Sequence, residues 1–199
     1  VTLLARVNAR RVDWVGTSMG GLIGIGVASR RGSPIRRLVI NDVGPTLDPA
    51  GLLRIASYVG QPLSFATLEE ATAHVQRISE TFGPHAPSQW LEMTRWQMKQ
   101  GASGRWVPRG DAAIAVPFKA VTPELAKVGE AMTWMAYDAI TAQTLLIRGA
   151  QSDLLSSQTA QLMTQRGPKA ALIEIAGVGH APMFQHADQV AHVQEFLLE

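Results

Sequence analysis

The sequence predicts an α/β fold in which a mostly parallel sheet is flanked by helices and interrupted by a long helical insert. Four short apolar runs lie far apart along the chain, and such continuous runs are typical of parallel strands covered on both faces. Helix-like stretches lie between or after them, as the crossovers of a parallel sheet require. The gap between the second and third runs is too long for one crossover, which predicts the insert. The predicted strands are residues 11–15, 37–40, 143–148 and 171–175.

The predicted helices of the core follow these strands in order. We interpret residues 1–7 as the end of a helix that leads into the first strand, and residues 21–29 as an apolar, glycine-rich helix directly after it. Further helices are predicted at residues 130–140, 157–165 and 187–198. The chain is thereby divided into a first core part at 1–45, a helical cap insert at 46–128 and a second core part at 129–199.

The insert contains four helix-like stretches, at residues 49–59, 68–82, 87–100 and 111–118. Thr67 and Glu70 have the spacing of a capping box, which supports a helix start between them. The insert is also rich in large apolar side chains, some at helical spacing, a pattern more typical of a packed core than of a substrate pocket. These side chains are Phe65, Trp90, Met93, Trp96, Met98, Trp106 and Phe118.

The segment Gly16-Thr17-Ser18-Met19-Gly20 joins the first predicted strand to the helix after it. A Gly-x-Ser-x-Gly sequence in this context predicts a nucleophile elbow, a tight turn that projects the serine hydroxyl outward. Ser18 is therefore the candidate nucleophile. The Met19 N–H, at the positive end of the helix, is the candidate donor to an oxyanion beside Ser18. The alternative is a flexible turn, and the flanking strand and helix argue against it.

A serine nucleophile needs a base, and the base needs an acid that orients it. His180 follows the predicted strand at 171–175 in a glycine-flanked loop, and Asp153 follows the strand at 143–148. Functional groups of open α/β sheets gather at the carboxyl ends of strands, so we predict His180 as the base and Asp153 as the acid. Asp42, which ends the strand at 37–40, is the rival acid, and we interpret it as a structural residue that caps the turn at 43–45.

These segments together resemble the α/β-hydrolase superfamily, in the broad group that includes small esterases, enol-lactonases and carbon–carbon bond hydrolases. The similar segments are residues 16–21 for the elbow, 41–45 after the next strand, 148–156 for the acid loop and 177–182 for the histidine loop. The resemblance implies that the insert is a helical cap over the active site. Ser18 argues against the dehalogenases and epoxide hydrolases of this superfamily, in which the nucleophile is Asp.

In that superfamily several strands and a first oxyanion loop precede the elbow, and too few residues precede Ser18 to supply them. The chain is similar to the C-terminal two-thirds of a family member. We therefore expect the second oxyanion donor to lie outside these residues. We also expect either that the natural protein is longer or that this chain does not work alone.

Three functions fit these residues. The first is a serine hydrolase that cleaves a carboxylic ester, lactone or thioester through an acyl-enzyme, with no metal or organic cofactor implied. The second uses the same triad to cleave a carbon–carbon bond in a ring-fission diketone, and the third is a truncated domain that only binds. Trp96 and Trp106 are candidate substrate contacts, and Arg95 and Arg105 are candidate partners of a substrate carboxylate.

Composition argues against several other classes of protein. The 199 residues are 46% hydrophobic and 17% charged, which indicates a globular chain with a sizeable core. No run approaches the ~18 apolar residues of a membrane helix. The net charge of +2, with basic residues clustered only in pairs, argues against a nucleic-acid partner. The absence of cysteine excludes thiol catalysis and fits a cytoplasmic location. The expected partner is a small molecule, and the oligomeric state stays open.

Overall fold

The computed structural model describes residues 2–117 and 122–199. The main elements follow one another along the chain as strands and helices with one long excursion between the second and fifth strands. They are α1 (Thr2–Val7), β1 (Val12–Thr17), α2 (Met19–Ala28), β2 (Ile35–Asn41), α3 (Pro49–Tyr58), α4 (Leu68–Ile78), α5 (Pro87–Gln97), β3 (Met98–Gln100), β4 (Trp106–Pro108), α6 (Pro123–Asp138), β5 (Gln143–Gly149), α7 (Ser157–Gln165), β6 (Ala171–Ile175) and α8 (Ala187–Leu198).

Four strands form one parallel sheet in the order β1-β2-β5-β6, and every neighbouring pair in it is parallel. The predicted fold class is therefore confirmed. The predicted bounds of β6, α7 and α8 agree with the structure. The other core strands extend the predicted runs by one or two residues at one or both ends, and β1 also begins one residue later than predicted. In this sheet β1 and β6 are the edges.

The sheet is covered on both faces because its central strands are apolar at successive positions. Leu38 and Ile40 of β2 point to the face packed by α2, α6 and α7, where Tyr137 is fully buried. Val39, between them, points to the opposite face, which α8 covers with Phe196. This period-two alternation with apolar residues on both sides explains why β2 forms a continuous apolar run in the sequence.

The excursion between β2 and β5 contains α3, α4, α5 and an antiparallel hairpin of β3 and β4. The predicted helix at 87–100 is thus too long, because α5 ends at Gln97 and the next three residues pair with β4. Gly101 and Gly104 form the tight turn of this hairpin, and Gly104 adopts a positive φ of 76° that suits glycine. An apolar cluster of the insert fastens the hairpin to α4 through Val75, Met98 and Trp106.

Two further predictions about the insert differ from the structure or lie outside it. The stretch predicted as a helix at 111–118 begins with a 3₁₀ turn at Ala112–Ala115, residues 116–117 are helical, and Phe118 lies outside the described residues. Helix α6 begins at Pro123 rather than near residue 130, because Thr122 caps it by accepting the Leu125 N–H. It crosses the division predicted at 128/129, and the division of the chain into core parts and insert stays a prediction.

The described helices are short relative to a bilayer. Among residues 2–117 and 122–199, no helix combines the length and the apolar character needed to cross a membrane.

Candidate active site

The turn between β1 and α2 places Ser18 in a strained backbone conformation. β1 ends at Thr17, α2 begins at Met19, and Ser18 between them has φ 52° and ψ −121°. Its N–H donates to the Asn41 carbonyl at 2.9 Å, so the parallel pairing with β2 continues into the turn. A non-glycine residue in this region is held there by its surroundings, and such strain is concentrated at functional sites. This geometry has the form of the nucleophile elbow that the sequence predicts.

The glycines around Ser18 are not equivalent. A Cβ on Gly16 would collide with the backbone carbonyl of Gly20, which means that only glycine fits there. A Cβ on Gly21 would lie 2.5 Å from a methyl group of Val43, so helix α2 also approaches β2 closely at this residue. A Cβ on Gly20 would meet nothing within 4 Å. Of the two glycines of the Gly-x-Ser-x-Gly motif, only Gly16 is therefore required by a close backbone contact.

A hydrogen-bond chain links Ser18, His180 and Asp42. The Ser18 Oγ lies 3.0 Å from His180 Nε2, and His180 Nδ1 lies 2.8 Å from Asp42 Oδ2. A carboxylate only accepts hydrogen bonds, so Nδ1–H donates to Asp42, and Nε2 is left to accept the Ser18 hydroxyl proton. Asp42 is fully buried, and His180 is 6% exposed. The arrangement is that of a nucleophile, a base and an orienting acid, in which the base and the acid are buried and Ser18 is partly exposed.

Asp42 is held in place from three sides. Its Oδ1 accepts the Gly149 N–H at 2.8 Å, and its Oδ2 accepts the Ser152 hydroxyl at 2.6 Å as well as His180. Its backbone has a positive φ of 55°, and its N–H donates to the Ile147 carbonyl at 2.8 Å. Asp42 is therefore not simply a turn cap, as the sequence suggested, because its side chain meets the histidine.

The contact predicted between Asp153 and His180 is not the one in the structure. Arg54 of α3 donates to both Asp153 oxygens, from Nε at 2.5 Å and from Nη2 at 2.7 Å. These hydrogen bonds hold the pKa of Asp153 below its usual range. The physical reason for the correction is the position of the two aspartates. Asp153 lies four residues past the end of β5, where Arg54 of α3 binds its side chain. Asp42 directly follows β2, the strand that pairs with β1.

Two residues that the sequence analysis does not name as site residues hold the loop that carries His180. The Thr81 hydroxyl donates to the His180 carbonyl at 2.7 Å, and the Thr81 carbonyl accepts the Gly179 N–H at 2.6 Å. The Asn41 amide donates to the Thr17 hydroxyl at 2.9 Å and to the Pro182 carbonyl at 2.8 Å. Asn41 is the last residue of β2 and precedes Asp42, and this position at a strand end is the sequence feature that could have identified it. Thr81 comes from the insert, and no sequence pattern marks it.

The Met19 N–H stands where the sequence places the oxyanion donor, at the first residue of α2. The first N–H groups of a helix have no acceptor within the helix, and the helix dipole adds partial positive charge there. Met19 is half exposed, and Ser18 is partly exposed. The backbone of α2 therefore offers one donor to an oxyanion beside Ser18.

The predicted substrate contacts lie elsewhere. Trp96 is 75% exposed on α5, and Trp106 packs in the apolar cluster of the insert beside Phe65. Arg105 donates from Nε to the Ser64 hydroxyl at 2.7 Å, so it fastens a loop of the insert, and Arg95 is exposed. These positions favour packing and solvent over the predicted contacts with a substrate.

Metal ligands are not grouped in this part of the protein. No cluster of three or more His, Asp or Glu side chains suited to a metal ion occurs among residues 2–117 and 122–199.

Comparison with known proteins shows which family this chain resembles in sequence and in fold. The sequence model of the alpha/beta hydrolase family matches residues 1–193. The chain is 47% identical over 199 residues to a 3-hydroxybutyrate-oligomer hydrolase of Cupriavidus necator, covering 98% of this chain and 68% of that protein. A solved alpha/beta hydrolase of Novosphingobium aromaticivorans is 35% identical with a TM-score of 0.85, covering 98% of this chain and 68% of the other. A putative hydrolase of Rickettsia typhi is 27% identical with a TM-score of 0.84, covering 99% and 65%.

Proposed function

This chain belongs to the alpha/beta hydrolase family, and from that premise we propose that it cleaves a carboxylic ester or related acyl bond through a Ser18-His180-Asp42 triad. The observation that carries the proposal is the hydrogen-bond chain from Ser18 Oγ through both ring nitrogens of His180 to Asp42. Asp42 replaces Asp153 as the proposed acid, because it is the carboxylate that the imidazole contacts.

The proposed reaction has two halves. Ser18 Oγ attacks the acyl carbon while His180 Nε2 takes its proton, and the same nitrogen then delivers that proton to the leaving oxygen. Asp42 keeps the Nδ1 proton in place and stabilises the charged imidazole. The Met19 N–H donates to the oxyanion of each tetrahedral intermediate. Water, activated by His180, then releases the acid and restores Ser18.

The proposed substrate is a small ester of the 3-hydroxyalkanoate type. The support is the relative named as a 3-hydroxybutyrate-oligomer hydrolase, which shares nearly half of its residues with this chain along the aligned length. Such oligomers are linear esters, and their bonds suit attack by a serine nucleophile. The proposal includes a cytoplasmic location, for which the cysteine-free sequence is the support.

Two alternatives remain distinguishable by experiment. The same triad could cleave a carbon–carbon bond of a ring-fission diketone. Activity on 3-hydroxybutyrate dimers and trimers, together with no activity on such diketones, would exclude this alternative. A domain that only binds would react with no acyl substrate and with no serine-directed probe.

The test is labelling of the purified full-length protein with a fluorophosphonate, read by intact mass. We expect a gain of one adduct that disappears in Ser18→Ala and persists in the matched control Ser103→Ala, which changes an exposed serine in the turn between β3 and β4. An adduct that persists in Ser18→Ala would remove the elbow from the mechanism. No adduct on the folded wild-type protein would favour the domain that only binds.

A further inference from the structure

Ser152 lies in the loop after β5, and its hydroxyl has a defined direction. The Ser152 Oγ accepts the N–H groups of Leu154 at 3.2 Å and Leu155 at 3.0 Å. Both lone pairs of the hydroxyl are thereby occupied, so its single proton is free to donate. The acceptor is Asp42 Oδ2 at 2.6 Å, the same oxygen that accepts His180 Nδ1–H.

We propose that Ser152 is a positioning residue for the hydrolase: its hydroxyl fixes the Asp42 carboxylate and moderates the pull of that carboxylate on the His180 proton. This inference rests on the proposed function, because it acts through Asp42 and His180. Gly149 N–H holds Oδ1, and Ser152 holds Oδ2. With both oxygens held, the carboxylate presents Oδ2 to the imidazole in one orientation only.

The loop that carries Ser152 is itself anchored at several points. The Ser152 N–H donates to the Gly149 carbonyl at 2.9 Å, and the Gln151 N–H to the Val178 carbonyl at 2.9 Å. The buried Arg148 donates from Nε to the Leu155 carbonyl at 2.8 Å. These bonds fix the backbone of the loop before and after Ser152. The hydroxyl is therefore pre-organised toward Asp42 and does not have to be ordered during the reaction.

The chemical consequence concerns proton affinity. The hydrogen bond that Ser152 donates to Oδ2 stabilises the negative charge of the Asp42 carboxylate. Without this hydrogen bond, the carboxylate attracts the proton of His180 more strongly. The protonated imidazole is then retained to higher pH, and less His180 is in the basic form that accepts the Ser18 proton. The other charged groups nearby are the ion pairs Arg54–Asp153 and Arg148–Glu174, which substitution of Ser152 leaves in place.

The experiment compares kcat and KM across pH for wild type, Ser152→Ala and Ser152→Thr on a 3-hydroxybutyrate dimer ester. In Ser152→Ala we expect kcat to fall roughly tenfold with KM unchanged, and the acidic limb of kcat/KM to move up by about one pH unit. Ser152→Thr keeps the hydroxyl and restores both values. The matched control is Ser156→Ala, which removes the hydroxyl that caps α7 and accepts the Thr159 N–H. It leaves the acidic limb in place.

An acidic limb that stays at its wild-type position in Ser152→Ala would overturn the proposal, as would a Ser152→Thr enzyme as impaired as Ser152→Ala. Should Ser152→Ala fail to fold, Ser152→Cys decides, because a thiol is a weaker donor and must move the limb in the same direction by a smaller amount. Failure of the proposed function is seen separately, as wild-type protein that neither hydrolyses the ester nor takes up the fluorophosphonate.

Discussion

Arg54 and Asp153 form a bidentate ion pair that connects α3 to the loop after β5. The packing around the pair is close: a Cβ on Gly51, one turn before Arg54, would collide with the Asp153 carbonyl. Asp153 therefore fastens the insert to the loop that carries Ser152. Ser152, the residue before Asp153, donates a hydrogen bond to Asp42, whereas Asp153 is bound by Arg54.

Substitution of the two carboxylates separates their roles. Asp42→Asn removes the acceptor that orients His180 and should lower kcat by roughly 10³- to 10⁴-fold with the protein still folded. Asp153→Asn weakens the ion pair with Arg54, which shares no hydrogen bond with Ser18, His180 or Asp42, and should lower kcat less than tenfold. Steady-state kinetics on an activated acyl ester measure both. The opposite order, with Asp153→Asn the more severe, would return the acid role to Asp153.

The Arg54–Asp153 pair should make stability depend on pH in acid. Because hydrogen bonds from Arg54 lower the pKa of Asp153 in the folded protein, its contribution is complete above the unfolded value of about 3.9 and is lost as pH falls through the lower folded pKa. Both side chains are about one-third exposed, so we expect at most ~1 kcal/mol of unfolding free energy.

The measurement is a double-mutant cycle of Asp153→Asn and Arg54→Gln, with urea unfolding at several pH values. The coupling free energy should be constant from neutral pH down to about pH 5 and shrink below about pH 4. A coupling that instead grows toward acid pH would mean that the pair is not an ion pair in solution.

Thr81 should affect both stability and turnover through the His180 carbonyl. Thr81→Val keeps the size of the side chain and removes the 2.7 Å hydrogen bond to that carbonyl, which should cost about 1 kcal/mol of unfolding free energy and lower kcat several-fold. Thermal unfolding and kinetics measure the two effects. Thr72→Val is the matched control, because Thr72 bonds the Leu68 carbonyl of its own helix. Equal losses of kcat in both variants would contradict a specific role for Thr81.

The sequence was sufficient for the parallel sheet and for proposing Ser18 and His180, which the structure places within hydrogen-bond distance of each other, because these depend on local patterns. Apolar runs mark β2, β5 and β6, and a strand followed by Gly-x-Ser-x-Gly and a helix marks the elbow. The hairpin of the insert was missed because Met98–Gln100 continues a helical apolar pattern, and pairing with Trp106–Pro108 overrides it.

The acid residue could not be chosen from local patterns. Asp42 and Asp153 both follow a strand of the sheet, and both are suited to turns. Which aspartate contacts His180 depends on Arg54, which lies 99 positions before Asp153 in the sequence and binds the Asp153 carboxylate. It depends also on Ser152, whose hydroxyl turns toward Asp42. Neither contact can be recognised from the residues that flank the two aspartates in the sequence.

The two motif glycines should respond differently to alanine. Gly16→Ala places a methyl group against the Gly20 carbonyl, so the backbone of the elbow must move, and we expect a loss of unfolding free energy of about 1–3 kcal/mol or more. Gly20→Ala places a methyl group inside the first turn of α2, where, apart from its chain neighbours and the nearby backbone of its own helix, it meets no atom of the described residues within 4 Å. Alanine favours helix over glycine by up to ~1 kcal/mol, so stability should be unchanged or higher. Urea unfolding of the two variants measures the difference. Equal destabilisation by both would mean that the space at Gly20 is filled in solution, and the requirement for glycine would then extend to the whole motif.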